Sequence, residues 1–79
     1  MKKAVSEGRG IQSVEVGGKL LRALADASAP MMLRDLAAVA SLAPAQAHAY
    51  LVSFRRANLV EQDADSGMYR LGPFAMRLG

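Results

Sequence analysis

A three-residue connection between two predicted helices constrains the fold of this chain more than any other feature. Pro44 suits the first turn of a helix, because its missing N–H would have no partner there, so a new helix begins directly after residues 41–43. The preceding helix is predicted over residues 33–40, where four apolar residues share one face: Leu33, Leu36, Ala37 and Ala40. So short a link holds the two helices at a steep angle, and both must bury their apolar faces in a common core.

A longer helix is predicted before this pair, over residues 13–27. Ser13 is a candidate N-cap, and Glu15 favours the first turn because its carboxylate meets the positive end of the helix dipole. Gly17 and Gly18 weaken the helix by roughly 1 kcal/mol each relative to alanine. Either this pair permits the close approach of another backbone, or the helix is frayed there, which is the simpler interpretation. Five apolar residues give a broadly helical pattern, namely Val14, Leu20, Leu21, Leu24 and Ala25.

The helix that begins at Pro44 is predicted to run to about Ala57. Asn58 follows at a position that requires a left-handed backbone, and asparagine is the best substitute for glycine there. At about 100° per residue, one stripe of this helix is apolar and is predicted to be buried. Its members are Ala47, Tyr50, Leu51 and Phe54.

Short strands are predicted after the third helix. Residues 59–62 and 68–71 are strand-like, and the turn formers of residues 63–67 join them in a hairpin. Residues 31–32 can form only a very short extended segment, and residues 74–79 begin a further helix. The hairpin therefore has two strands, or three if the short segment joins it.

This order of elements predicts a mainly α fold with a small β-hairpin. It is the layout of a winged helix-turn-helix, with three helices and a wing of two or three strands. We expect residues 11–72 to form this domain. Residues 1–10 are expected to be a flexible basic arm, and residues 73–79 the start of a linker helix.

Length and composition exclude several classes of protein. With 79 residues, of which 52% are apolar, the chain is one small globular domain. It has no cysteine and one histidine, His48, so we expect no cofactor and no metal site. The sequence also offers no pairing of a nucleophile with a base, so we do not expect an enzyme. No apolar run can span a membrane, and residues 7–10 are too polar for a signal peptide, so we expect a cytoplasmic protein. The net charge of +3 is compatible with a nucleic-acid partner without requiring one.

Five short segments stand in an informative order. They are residues 11–15 (IQSVE), 36–37 (LA), 42–51 (LAPAQAHAYL), 58–61 (NLVE) and 66–72 (SGMYRLG). In this order and spacing they resemble the N-terminal DNA-binding domain of IclR-type transcriptional regulators. The resemblance extends over residues 11–79, and no single segment carries it alone.

The resemblance implies sequence-specific binding to double-stranded DNA by a homodimer, with the third helix in the major groove and the wing on the flanking backbone. It also implies a C-terminal effector domain that senses a small molecule and sets the affinity for DNA. That domain is absent from this sequence, so a small-molecule effector is expected only if such a domain exists elsewhere. We expect either a fragment of a longer regulator or a natural short form without a sensor.

The outward face of the third helix departs from the family pattern. The family commonly has small hydroxyl residues and a basic residue at its start, where this chain has Ala43, Ala45, Gln46 and Ala49. Four residues point directly away from the buried stripe: Ala45, Ala49, Val52 and Arg56. Gln46 and Ser53 lie on one flank of this outward face, and His48 lies on the other. Alanine can contact a thymine methyl, whereas the Gln46 amide can bond adenine N6 and N7 together and is the best candidate reader.

Basic side chains are the candidates for phosphate contacts, since each contact releases counterions and strengthens binding. They are Arg34 on the second helix, Arg55 and Arg56 late in the third, Arg70 on the wing, and Lys2, Lys3 and Arg9 on the arm. Simpler interpretations stay open. Arg55 and Arg70 could be solvated surface charges, Arg34 could pair along its own helix, and the arm could be idle.

Three further polar residues have alternative interpretations. His48 is either a structural or solvated side chain or a phosphate contact, and the chain offers it no partner for a metal or catalytic site. Asp63 and Asp65 resemble a carboxylate pair, but five turn formers in a row indicate a solvated loop. An acidic wing tip should avoid phosphate, which leaves the wing contact to Arg70.

An alternative function is a winged-helix module for protein interaction or dimerisation, with weakened DNA reading. The alanine-rich outward face of the third helix favours it. Dimerisation itself is expected with either function, because a second copy would best bury the exposed apolar residues of the first helix and of residues 74–78.

Overall fold

The computed structural model describes residues 8–79, and the predicted residues Lys2 and Lys3 of the arm lie outside that range. Within it, the chain forms four helices and one antiparallel hairpin. The helices are α1 (Gln12–Asp26), α2 (Leu33–Ala40), α3 (Pro44–Arg56) and α4 (Pro73–Leu78), and the strands are β1 (Val60–Gln62) and β2 (Tyr69–Leu71). The described part of the arm, residues 8–10, is exposed.

The start of α1 differs from the prediction. Ile11, and not Ser13, is the N-cap: its backbone is extended, and its carbonyl oxygen accepts from the N–H groups of Val14 and Glu15. Ser13 therefore lies inside the first turn, and no side chain caps this end of the helix. Val14 and Ala25 belong to the predicted apolar pattern but are exposed, because the buried positions of α1 are Gly17, Leu20 and Leu24.

The glycine pair does not fray α1, which is helical through both positions, so the simpler interpretation is wrong. Gly17 is buried, and a Cβ on it would lie 2.7 Å from Cζ of Phe54 and 3.4 Å from Cδ1 of Tyr50. The close approach is by aromatic side chains of α3 rather than by a second backbone. Gly18 is exposed, and a Cβ there would meet nothing within 4 Å.

Helix α2 has the predicted bounds, and the connection after it is closed by a left-handed residue. Ser41 has φ of 57°, and the N–H of Leu42 donates to the carbonyl oxygen of Ala37. Helix α3 ends in the same way: Asn58 has φ of 62°, as predicted, and the N–H of Leu59 donates to Phe54. In each helix the left-handed residue donates a second bond, from Ser41 to Ala38 and from Asn58 to Arg55. The two bonds together form a Schellman motif, which satisfies the last carbonyl groups of the helix.

The wing is a two-stranded hairpin, and one residue outside it, Met31, forms an isolated bridge to β2. Val60 pairs with Leu71, Glu61 with Arg70 and Gln62 with Tyr69. On the other side of β2, Met31 exchanges two backbone hydrogen bonds with Tyr69, at 2.9 and 2.8 Å. Of the short extended segment predicted at residues 31–32, only Met31 joins the wing, as an isolated bridge, so the sheet has two strands.

One core holds α1, α2, α3 and the wing together. Its buried members are Leu20, Leu24, Leu36, Ala40, Leu51, Val60 and Tyr69. Since each of these elements contributes to the same cluster, α3 is fixed between α2 and β1 and contacts both. The architecture is the predicted winged helix-turn-helix. No helix in residues 8–79 is long and apolar enough to cross a membrane.

Candidate nucleic-acid interface

Helix α3 has the two faces that its periodicity predicts. Ala47 and Leu51 are fully buried, and Tyr50 and Phe54 are partly buried against the core. Six of the seven residues predicted to face outward are exposed: Ala45, Gln46, His48, Ala49, Ser53 and Arg56. Val52 is the exception, because it is half-buried beside Arg55 and Arg56 in a shallow groove.

The Gln46 side chain has a structural role at the start of α3. Its Oε1 accepts a hydrogen bond from the backbone N–H of Ala43, the N-cap residue, at 3.1 Å. This is half of a capping box, and Ala43 has no side-chain oxygen to supply the other half. The amide NH₂ of Gln46 and the second lone pair of its Oε1 are left to face a ligand. A bidentate contact with adenine would therefore share Oε1 with the cap bond.

Arg55 contacts the wing. Its Nη1 donates to Oε1 of Gln62 at 3.0 Å, and Nε2 of Gln62 donates to the carbonyl oxygen of Gly67 at 3.0 Å. One amide thus joins the end of α3 to the tip of the wing. Sequence reasoning missed Gln62, since nothing local to β1 indicates that it meets a residue of α3.

The wing tip is ordered by Asp63. Its Oδ2 accepts from the backbone N–H groups of Ser66 at 2.7 Å and Asp65 at 3.1 Å, and Gly67 has φ of 77°. The hydrogen bonds from Ser66, chiefly from its backbone, hold the pKa of the Asp63 carboxyl below its ordinary value because they favour the charged form. The two carboxylates of the tip are therefore part of a solvent-exposed turn, as predicted.

Arg70 is paired across the hairpin. Its Nε lies 3.2 Å from Oε1 of Glu61, which is its register partner, and both side chains are about half exposed. It is the one ion pair formed within residues 8–79. Arg34 is exposed on the first turn of α2 and makes no ion pair with any described residue. No hydrogen bond within that range joins Arg34 or Arg70 to the outward residues of α3.

A second exposed surface, separate from the outward face of α3, is an apolar stripe along α1. We define the α1 stripe as Ile11, Val14, Gly18, Leu21 and Ala25, whose spacing of three and four residues places them along one side of the helix. Ile11 is 65% and Val14 69% exposed. Gly18 and Leu21 line grooves that continue to Leu59 and to Leu78 of α4, which is itself 69% exposed. Among residues 8–79, no group of histidine and acidic side chains is arranged to hold a metal ion.

Comparison with known sequences finds a family for this fold. A sequence profile of the IclR helix-turn-helix domain matches residues 13–64, more than half of the chain. The glycerol operon regulatory protein of Streptomyces coelicolor is 41% identical over 71 residues, which are 90% of this chain and 28% of that protein. The chain therefore spans little more than a quarter of the length of this curated relative.

Solved structures agree with the sequences. HmgR of Pseudomonas aeruginosa matches with a TM-score of 0.81 at 35% identity, over 87% of this chain and 28% of that chain. An IclR transcriptional regulator from Alicyclobacillus acidocaldarius matches with a TM-score of 0.79 at 22% identity, over 89% of this chain and 28% of that chain. The second likeness shows the fold alone.

Proposed function

Because the chain belongs to the IclR family of helix-turn-helix domains, we propose that it is a sequence-specific DNA-binding domain of a transcriptional regulator. Helix α3 enters the major groove, and the wing lies on the flanking backbone. The observation that carries this proposal is the uncovered outer face of α3, set between α2 and the wing. A duplex can reach that face without any rearrangement of the core.

The proposed contacts divide into those that hold the backbone and those that read bases. Arg34, Arg56, Arg70 and His48 contact phosphates, which supplies affinity without sequence preference. The methyl groups of Ala45 and Ala49 contact thymine methyls, while Gln46 and Ser53 offer hydrogen bonds to base edges. Because two of these readers are alanines, apolar contact with thymine carries much of the proposed specificity.

Selection of bound sequences from a random duplex pool tests the proposal. We expect a recovered motif and an affinity that falls steeply with salt. Arg56→Ala should weaken binding at low salt and reduce the salt dependence, whereas Lys19→Ala, which removes an exposed charge from α1, should not. A pool that returns no motif, or an affinity that neither salt nor Arg56→Ala changes, contradicts the proposal.

The methyl contacts can be tested separately on the recovered motif. Replacing thymine by uracil removes only the C5 methyl and leaves the base pair intact. We expect the affinity to fall by about fourfold for each methyl that α3 contacts, because the substitution removes the burial of one carbon. Uracil outside the motif is the matched control and should have no effect. Equal affinities for both forms of the motif would overturn the assignment to Ala45 and Ala49.

We propose that the domain pairs with a second copy through the α1 stripe. Glu15 and Arg22 border the stripe with opposite charges, and in an antiparallel pair centred on Gly18 they would face each other. A two-fold pair also matches two half-sites on DNA. Val14→Glu should shift sedimentation toward monomer, while Val39→Glu, at an exposed position of α2, should not. If both variants sediment as the unaltered chain does, the stripe is not the interface.

The longer relatives indicate how such a domain is used. We propose that α4 begins a linker to a C-terminal effector domain in a longer regulator, and that any small-molecule effector binds there. The relative from Streptomyces coelicolor is named for the glycerol operon, and we extend to this chain only control of transcription. The proposed role is non-enzymatic and places the protein in the cytoplasm with the chromosome.

A further inference from the structure

Gln62 joins two parts of the molecule that the proposed function uses together. It is the last residue of β1, two positions after the buried Val60, so the alternation of a strand directs both side chains toward the same face, the one against α3. From there its amide reaches Arg55 on one side and the carbonyl oxygen of Gly67 on the other, each at 3.0 Å.

The amide satisfies both contacts because it carries an acceptor and a donor. The oxygen accepts from the Arg55 guanidinium, a donor that carries a charge and therefore makes a strong and directional bond. The nitrogen donates to the Gly67 carbonyl, which a glutamate at this position could not do. Lysine could donate to that carbonyl but could not accept from Arg55.

The tip that Gln62 contacts is already a single ordered unit. The N–H of Gly67 donates to the carbonyl oxygen of Asp63 at 2.8 Å, and the N–H of Asp63 donates to Met68 at 2.8 Å. Ser66 and Asp65 are held by the Asp63 carboxylate. A hydrogen bond at Gly67 therefore positions the whole tip, and not one residue of it.

We propose that Gln62 is a positioning residue that fixes the wing tip relative to α3, so that helix and wing meet a duplex as one preorganised surface. The inference rests on the proposed function. A wing that moves independently must be ordered when DNA binds, which lowers affinity without the loss of any direct contact. Gln62 thus acts on DNA through Arg55 and through the placement of the wing.

Gln62→Met tests the proposal, because methionine matches the length of glutamine and makes neither hydrogen bond. Binding is measured on two duplexes, one covering the complete hydroxyl-radical footprint of the unaltered chain and one cut back to the major-groove segment under α3. We expect the affinity for the long duplex to fall by about three- to tenfold, equivalent to one exposed hydrogen bond, and the affinity for the short duplex to stay unchanged. Gln12→Met, at an exposed glutamine of α1, is the matched control and should bind both as before.

Hydrogen exchange in the free protein completes the test. The Gly67 amide should exchange about three- to tenfold faster in Gln62→Met, while the core amides of α1 and α2 keep their rates. An equal loss on both duplexes, or full affinity on the long one, overturns the positioning role, as does an unchanged rate at Gly67. If the unaltered chain binds neither duplex, the proposed function fails, and the exchange rate alone decides whether Gln62 holds the tip.

Discussion

At the start of α3, the Gln46 side chain supplies half of a cap that a hydroxyl residue at position 43 would complete. The extended backbone of Ala43 already has the conformation of an N-cap residue. Because position 43 is alanine and not the serine or threonine of the capping-box signature, the sequence alone does not indicate a capping role for Gln46. The base-reading and capping roles of Gln46 share one oxygen atom, which can accept two hydrogen bonds.

We expect Ala43→Ser to stabilise the domain by about 1 kcal/mol, because the serine oxygen accepts from a free N–H in the first turn. Urea denaturation, read as the shift of the midpoint at constant slope, measures this change. Ala45→Ser, which adds the same hydroxyl inside the first turn, is the control and should not stabilise. A shift of the same size in both variants would show that the hydroxyl acts elsewhere than at the cap.

On the wing, Glu61 limits what Arg70 can do. The pair lies on the outer face of the hairpin and is too exposed to contribute much to folding. For DNA binding, however, the carboxylate both holds the guanidinium and repels phosphate. Arg70 is therefore a weaker phosphate contact in this chain than its position alone indicates.

Glu61→Gln should release Arg70 and increase affinity for duplex DNA by about three- to tenfold at low salt, with a salt slope steeper by at most about 0.9 as the weakened Arg70 contact becomes a full one. Salt titration of a labelled duplex measures both quantities. Asp26→Asn removes the same charge from the exposed end of α1 and controls for the change in net charge. Should the two variants gain affinity equally, the effect belongs to net charge and not to Arg70.

At the scale of elements, the bounds of α2 and α3, the left-handed Asn58 and the hairpin follow from the sequence. Each depends on neighbours within a few residues: the proline that starts a helix, the asparagine that ends one, the turn formers between two strands. The glycine pair of α1 does not follow in this way. Whether a glycine is a weak point or a packing site depends on what lies against it, and the aromatic rings against Gly17 come from α3.

The two glycines should therefore respond differently to the same substitution. At a protein concentration that keeps the chain monomeric, Gly18→Ala should stabilise α1 by about 0.5–1 kcal/mol, since alanine restricts the unfolded chain and meets nothing within the folded one. Gly17→Ala places a methyl group against the Phe54 ring, and we expect a loss of about 1–3 kcal/mol from overpacking. Thermal denaturation measures the change in stability of both variants. Equal stabilisation in the two would mean that the Phe54 ring moves aside freely.

At the scale of the whole molecule, charge is unevenly distributed. Residues 1–10 contain three basic residues and one acidic residue, a net charge of +2, while residues 11–79 contain seven basic and six acidic residues, a net charge of +1. The folded domain is therefore nearly neutral. Its affinity for DNA must come from where its arginines lie, or from the arm.

Removal of the arm tests its contribution. A chain that begins at Ile11 should bind the recovered motif more weakly at low salt, with a salt slope shallower by about 0.9 for each arm cation that contacts phosphate. Replacement of Lys2, Lys3 and Arg9 by glutamine in the full chain is the control for a change in length. An unchanged slope in both proteins would assign the whole electrostatic contribution to the folded domain.

The sequence by itself determined the order of elements and the tight turn before α3, because these depend on local backbone preference and on periodicity. The family followed from the resemblance of five short segments to known regulators. The sequence also placed six of the seven outward residues of α3, since helical periodicity assigns a face to each residue. Only the tertiary structure decided that Gln62 meets Arg55, that Glu61 holds Arg70 and that Gly17 lies under Phe54. These contacts join residues from different elements, and their distances are set by strand register and by the packing of the common core.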